Sequence, residues 1–169
     1  SLLLGHETTG TLNDAEYNTG VGRGSLDAIT EGDQNTAVGY NSLSANTTGT
    51  GNVAFGYNTL AANTTAGQNL AVGYNALAVQ TTGGEFNTGI GNYSLDANTI
   101  GDKNVALGYG ALTANSEGSY NVGVGAEALK VNNTGANNTA LGNAAGDVIT
   151  TGSNNVVIGS GSDPSAADG

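Results

Sequence analysis

The chain has 169 residues, with 14 acidic side chains against three basic ones (Arg23, Lys103 and Lys130), for a formal net charge of −11. That balance argues against nucleic acid or an anionic membrane surface as partner, because phosphate binding needs clustered Lys and Arg. The absence of Cys excludes disulfide staples and thiolate chemistry, and no apolar run approaches the roughly 20 residues of a membrane-spanning helix.

From the N-terminus on, one phrase recurs every 17 residues. Ser1 opens a degenerate copy, SLLLG. Asn18 opens NTGVGRGSL, Asn35 NTAVGYNSL, Asn52 NVAFGYNTL and Asn69 NLAVGYNAL. One extra residue near Gly83 and Gly84 delays the next copy to Asn87, and the period resumes at Asn104 (NVALGYGAL), Asn121, Asn138 and Asn155. Residues 1–159 are therefore expected to form one array of ten coils, starting near residues 1, 18, 35, 52, 69, 87, 104, 121, 138 and 155. Residues 160–169 lose the repeat and carry the only proline, Pro164, which reads as an irregular tail or junction. Because Ser1 already lies inside a copy, the array is expected to be a segment of a longer protein. So short and strict a period predicts stacked coils rather than an enzyme-like globule.

Numbering each coil from its Asn, position four is apolar in every copy: Leu4, Val21, Val38, Phe55, Val72, Ile90, Leu107, Val124, Leu141 and Ile158. Position five is always Gly, and position three is Ala or Gly from the second copy to the eighth. Positions two to six thus alternate as a short strand, with the second and fourth side chains on one face and small residues on the other. The glycine suits a bend that needs positive φ or a close backbone approach. Position nine is Leu in seven copies, Leu26 to Leu129, and position eleven is Ala or Val. Positions eight to eleven therefore predict a second strand or a bend, with Leu and Ala pointing the same way. The NTTG-like stretch that follows is turn chemistry. Helix is disfavoured, since no 3.6-residue stripe survives among so many glycines.

The expected fold is all-β: a parallel β-solenoid or β-roll of ten 17-residue coils, making a rod on the order of 45–50 Å long. Stacked Asn side chains are expected to form hydrogen-bonded ladders along the axis. The predicted core is thin, with one large aliphatic at position four, one Leu and some Ala per coil, so a lone chain is marginal against its ordering entropy. Position two mixes Thr (Thr19, Thr36, Thr88, Thr139) with apolar residues (Val53, Leu70, Val105, Val122, Val156), as a half-buried subunit interface would. The chain is therefore expected to self-associate.

The phrase N-x-A-[VIFL]-G-Y-x-[SA]-L, followed by A-N-T-T-G, resembles the head repeats of trimeric autotransporter adhesins, which carry a comparable S-x-A-[IV]-G motif. It is closer still to the NTAVGY-type arrays of phage tail fibres and related bacterial fibre proteins. The resemblance covers almost the whole chain. It implies an intertwined or side-by-side homotrimer, a left-handed β-roll or related β-prism, carried on an extracellular, cell-surface or virion fibre. At 17 residues the repeat is longer than is usual for autotransporter heads.

Four candidate features stand out. Tyr40, Tyr57, Tyr74 and Tyr109 share position six and are candidate contacts to a glycan; Arg23, Asn92, Ala126 and Asn143 interrupt their column. Thr30, Thr47, Thr64, Thr81, Thr99 and Thr150, with Ser116, share position thirteen; such a ladder suits an ice-binding face or ordinary turn capping. Asp27, Asp96 and Asp147, Glu31 and Glu117, and Asp33 and Asp102 fall on turn positions. A rim such as Asp27, Glu31 and Asp33 offers oxygen ligands to Ca²⁺, but the nonapeptide of calcium-binding β-rolls is absent, and a solvated face accounts for the charges equally. His6, beside Glu7, has no nucleophile motif near it. Asn46 and Asn63 begin N-T-T sequons that fall out of the repeat itself.

The expected function is structural: a segment of an extracellular or virion fibre or adhesin, not an enzyme and without a cofactor, whose partners are its own copies and a host-cell or surface polysaccharide. Two alternatives belong to other classes, an ice-binding solenoid and the non-catalytic part of a polysaccharide-degrading tailspike.

Overall fold

The computed structural model describes residues 1–4 and 15–163. Ten strands of three residues follow one another: β1 (Leu2–Leu4), β2 (Thr19–Val21), β3 (Thr36–Val38), β4 (Val53–Phe55), β5 (Leu70–Val72), β6 (Thr88–Ile90), β7 (Val105–Leu107), β8 (Val122–Val124), β9 (Thr139–Leu141) and β10 (Val156–Ile158). They form one parallel sheet in strict sequence order. Like pairs with like: Val105 lies opposite Val122, Ala106 opposite Gly123, and Leu107 opposite Val124. The chain is an all-β parallel β-solenoid, one rung per repeat. At about 4.8 Å per rung, the nine spacings give a sheet about 43 Å long.

The strand alternates as expected, but its faces are reversed relative to the predicted core. The small residues at position three point inward: Ala37, Ala54, Ala71, Ala106 and Ala140 are fully buried. Position four points out, and Phe55, Ile90, Leu141 and Ile158 are exposed. The physical reason is volume. A 17-residue coil that also encloses a Leu and two amide side chains leaves room for only a methyl group or hydrogen beneath the strand; Val157 is buried at this position only where Gly146 and Asp163 replace the Leu.

After the strand the chain turns twice instead of extending. The position-five glycines take φ between 126° and 139° along the rod from Gly39 to Gly159. A Cβ on Gly39 would sit 2.1 Å from the Gly56 carbonyl oxygen, so both sequence-based reasons for glycine hold there. Positions eight to eleven are a bend, not a strand. Within it, Leu26, Leu43, Leu60, Leu77, Leu95, Leu112 and Leu129 have φ of 49–54°. That left-handed conformation costs a γ-branched residue roughly 1–2 kcal/mol. Each of these side chains is completely buried, and burying a Leu returns about 1.5–3 kcal/mol. The inward turn and the core contact are the same event. Position eleven does not follow Leu inward: Val79 and Val148 are exposed.

Two amide ladders, with a column of small buried residues at position eight such as Ser42, Thr59 and Ala76, fill the rest of the interior. Along position one, each main-chain N–H donates to Oδ1 of the preceding Asn. The distances run from 2.8 Å for Asn35 to Asn18 to 3.0 Å for Asn155 to Asn138. The Nδ2 group reaches a carbonyl 14 residues on, as Asn104 does to Gly118 at 2.8 Å. Along position twelve, Asn63 donates to Asn46 Oδ1 at 2.7 Å and Asn132 to Asn115 Oδ1 at 2.9 Å. Ile29 and Ile149 hold that position towards the two ends of the ladder and are also buried. The N–H to Oδ1 bonds of position one and the Nδ2 to Oδ1 bonds of position twelve tie one coil to the next, so the polar interior stiffens the rod along its axis.

The extra residue lies between Gln80 and Glu85. Gln80 bonds Asn98, 18 residues on, whereas the Glu85 N–H bonds Asp102, 17 residues on. Gln80 occupies the position-twelve ladder, and its extra methylene lets Nε2 reach the Gly84 carbonyl across the longer turn. The mend is incomplete. Asn63 Oδ1 is buried with no hydrogen-bond partner, and Asn69 Nδ2 turns back to Gly67 at 3.0 Å.

Candidate functional site

The sheet offers the largest continuous feature. Positions two and four both point away from the interior along the ten strands, alternating with the buried position three. The column runs Thr19 and Val21, Thr36 and Val38, Val53 and Phe55, Leu70 and Val72, and on to Val156 and Ile158. A strip about 43 Å long and about 10 Å wide covers on the order of 400 Å². That is as large as the biggest apolar patch on an ordinary monomer. Among the described residues, Arg23, Lys103 and Lys130 all lie off this strip, as do the carboxylates.

The four sequence-predicted tyrosines lie beyond the glycine bend and are all partly exposed. Tyr40, Tyr57 and Tyr74 stack as near-parallel plates, with centroids 5.1 Å apart and interplanar angles of 14° and 6°. Parallel stacking covers both faces of Tyr57 and leaves edges and hydroxyls to solvent. The Arg23 guanidinium extends the column, 6.0 Å from the Tyr40 ring. Asn92 does not break the column. Its Oδ1 accepts the Tyr74 N–H at 2.9 Å, and the next residue, Tyr93, supplies the ring. Tyr93 meets Tyr74 and Tyr109 edge to face, at 65° and 83°. Partial desolvation, then the neighbouring Tyr74 and Tyr109, push the Tyr93 phenol above its ordinary value.

A second aromatic column, not singled out by the sequence reading, stands at position seventeen. The Lys103 ammonium lies 5.9 Å from the Phe86 ring and 5.0 Å from Tyr120, whose hydroxyl it bonds at 3.1 Å. That hydrogen bond pushes the Lys103 pKa up. The column mixes Gln34, Gln68, Asn137 and Asn154 with its aromatics. Its only common trait is a positive φ, of 55–63° from Tyr17 to Asn154 outside Gly51.

Several of the remaining candidates take part in hydrogen bonds within and between turns. Thr30, Thr47, Thr64 and Thr99 each donate their hydroxyl to a main-chain carbonyl of the next coil, at 3.0–3.2 Å. Ser116 donates instead to the side-chain Oδ1 of Asn133. Asp33 and Asp102 accept the N–H groups of Glu16 and Glu85, both at 2.8 Å. Among the described residues no three carboxylate or imidazole groups approach closely enough to share a metal ion. The sequon residues Asn46 and Asn63 are fully buried ladder members. His6, Glu7 and Pro164 lie outside the described residues.

Comparison with known proteins finds no matching family model, no matching curated sequence and no matching solved structure.

Proposed function

We propose that this chain is a structural segment of an extracellular or virion fibre or adhesin, in which three copies pack their sheet faces around a common axis. The observation that carries the reading is the apolar strip at positions two and four. A rod with one Leu per coil inside and Val, Leu, Ile or Phe outside on nearly every rung keeps much of its large apolar surface in water when alone. A second and third copy would cover it. Three flat faces meeting at an axis close the assembly, so no face remains to nucleate open polymers.

The function of such a rod is geometric. Coil-to-coil amide ladders resist bending, association buries the strip, and length projects whatever the fibre carries. The side chains away from the strip stay available to a polysaccharide of a cell surface. No chemistry is asked of the chain in this role.

A disulfide test uses the natural absence of Cys. Val122→Cys on the strip and Thr134→Cys on an exposed turn each introduce a single thiol. Under mild oxidation Val122→Cys is expected to give covalent dimers within the assembly, and Thr134→Cys is expected to stay single-chain. Equal cross-linking of both, or of neither, contradicts the strip as interface.

A further inference from the structure

The Tyr column ends in a depression whose chemistry differs from that of the flat stack. Tyr93 and Tyr109 stand at 83° to one another with centroids 6.0 Å apart, so they form two walls of a corner. The corner opens because of Gly110. The same position holds Asn41, Asn58 and Asn75 in earlier coils and Glu127 in the next. At Gly110 there is no side chain, and an added Cβ would meet only Glu127 Cγ, at 3.9 Å. The result is an open hollow of ≈ 270 Å³ spanning three coils. Binding sites for small ligands begin near 300 Å³, so the hollow suits one ring-sized group of a longer ligand.

Its polar rim is built, not scattered. Asp96 Oδ1 accepts the Thr113 hydroxyl at 2.6 Å. Lys130 Nζ is held by Glu127 Oε2 at 3.0 Å. The rim therefore offers acceptors at Asp96 and Glu127, a donor at Lys130, and a further acceptor at the Thr113 oxygen, whose own proton is held by Asp96. Lys130 opposes a cationic ligand, and the two carboxylates oppose an anionic one. A neutral ligand that both donates and accepts hydrogen bonds, and has an apolar ring face for tyrosine, satisfies all of them.

We infer that this hollow is a binding subsite for a neutral pyranose residue of a glycan, with C–H groups against Tyr93 and Tyr109 and hydroxyls against Asp96, Thr113, Glu127 and Lys130. The inference deepens the fibre reading by assigning its polysaccharide contact to coils six to eight. The parallel plates Tyr40, Tyr57 and Tyr74 serve as structural stacking.

Saturation-transfer NMR on the intact chain tests this, with the methyl β-glycosides of glucose, galactose and N-acetylglucosamine as probes. Tetramethylammonium and inorganic phosphate are the charged comparisons. The expected result is transfer to at least one pyranoside, strongest at its ring C–H protons, and none to the ions. Gly110→Asn should abolish it. Asn occupies that position with φ of 52–54° in coils three to five, against 60° at Gly110, so the fold accommodates the change. Tyr109→Ala, at an exposed ring, should also abolish it, and Tyr57→Ala should not. Absence of transfer to every pyranoside, transfer to an ion instead, or transfer that survives Gly110→Asn overturns the assignment. None of these outcomes bears on the sheet strip, whose cross-linking is read separately at Val122.

Discussion

The Asn121 N–H donates to Asn104 Oδ1 at 2.9 Å, while the Asn104 N–H donates in turn to Asn87 Oδ1 at 2.9 Å. Each buried Asn therefore receives a hydrogen bond from the coil after it and gives one to the coil before. Its Nδ2 meanwhile satisfies the Gly118 carbonyl. Asn104→Ala orphans the Asn121 N–H and removes one of the two donors to the Gly118 carbonyl, which keeps Asn115 Nδ2 at 2.9 Å. An unsatisfied buried group costs about 1–3 kcal/mol and a lost hydrogen bond about 0.5–1.5 kcal/mol, so a loss of about 2–4 kcal/mol is expected in denaturant unfolding. Asn155→Ala, at the last and partly exposed rung, should cost clearly less.

The glycines separate into two kinds. Gly108 has φ of 139°, and a Cβ there would lie 2.5 Å from the Gly125 carbonyl oxygen. Gly110 has φ of 60° with open space around it. Gly108→Ala must push adjacent coils apart as well as strain the backbone, so it should cost several times the roughly 1–3 kcal/mol of strain alone. Gly110→Ala should cost only the usual left-handed penalty, about 1–2 kcal/mol. Paired thermal melts of the two variants read the difference.

Inner and outer apolar residues predict opposite phenotypes. Leu112→Ala removes a fully buried side chain and should destabilise the fold by about 2–5 kcal/mol. Val124→Lys on the strip should change the stability of an isolated rod by only about 0.5 kcal/mol, yet it should abolish association by burying an unpaired charge. Circular dichroism together with sizing chromatography distinguishes loss of fold from loss of assembly.

The inserted residue should be removable. Deleting Gly84 together with Gln80→Asn restores the 17-residue offset and gives Asn63 Oδ1 a ladder partner. The double change is expected to stabilise the rod by about 1–3 kcal/mol, the cost of the present orphan. Gln80→Asn alone should destabilise it, because the shorter amide no longer reaches the Gly84 carbonyl. Melting temperatures of the parent, single and double variants check the sign.

The repeat made much of this architecture legible. A column of Asn at one-rung spacing has an obvious way to satisfy its amides, and an invariant Gly announces a close approach. What the pattern left open was direction. An apolar–small–apolar strand such as Val53–Ala54–Phe55 reads equally well with either face inward, and only the volume inside the coil decides it. The left-handed Leu residues were also illegible, because a bulky residue rarely adopts positive φ and the bend depends on burial that appears only in three dimensions. Tyr93 was missed because it stands one position out of register, where the ring column is continued by geometry and not by the period. The hollow at Gly110 arises from an absent side chain, which a search for recurring residues passes over.

The mass of the assembly in solution tests the central claim most directly. Light scattering on a sizing column should return three times the 16.5 kDa chain mass, with the early elution of an elongated particle. A monomer that keeps its β-sheet signal and shows no self-association would contradict the account, because the apolar strip would then be stable in water without a partner.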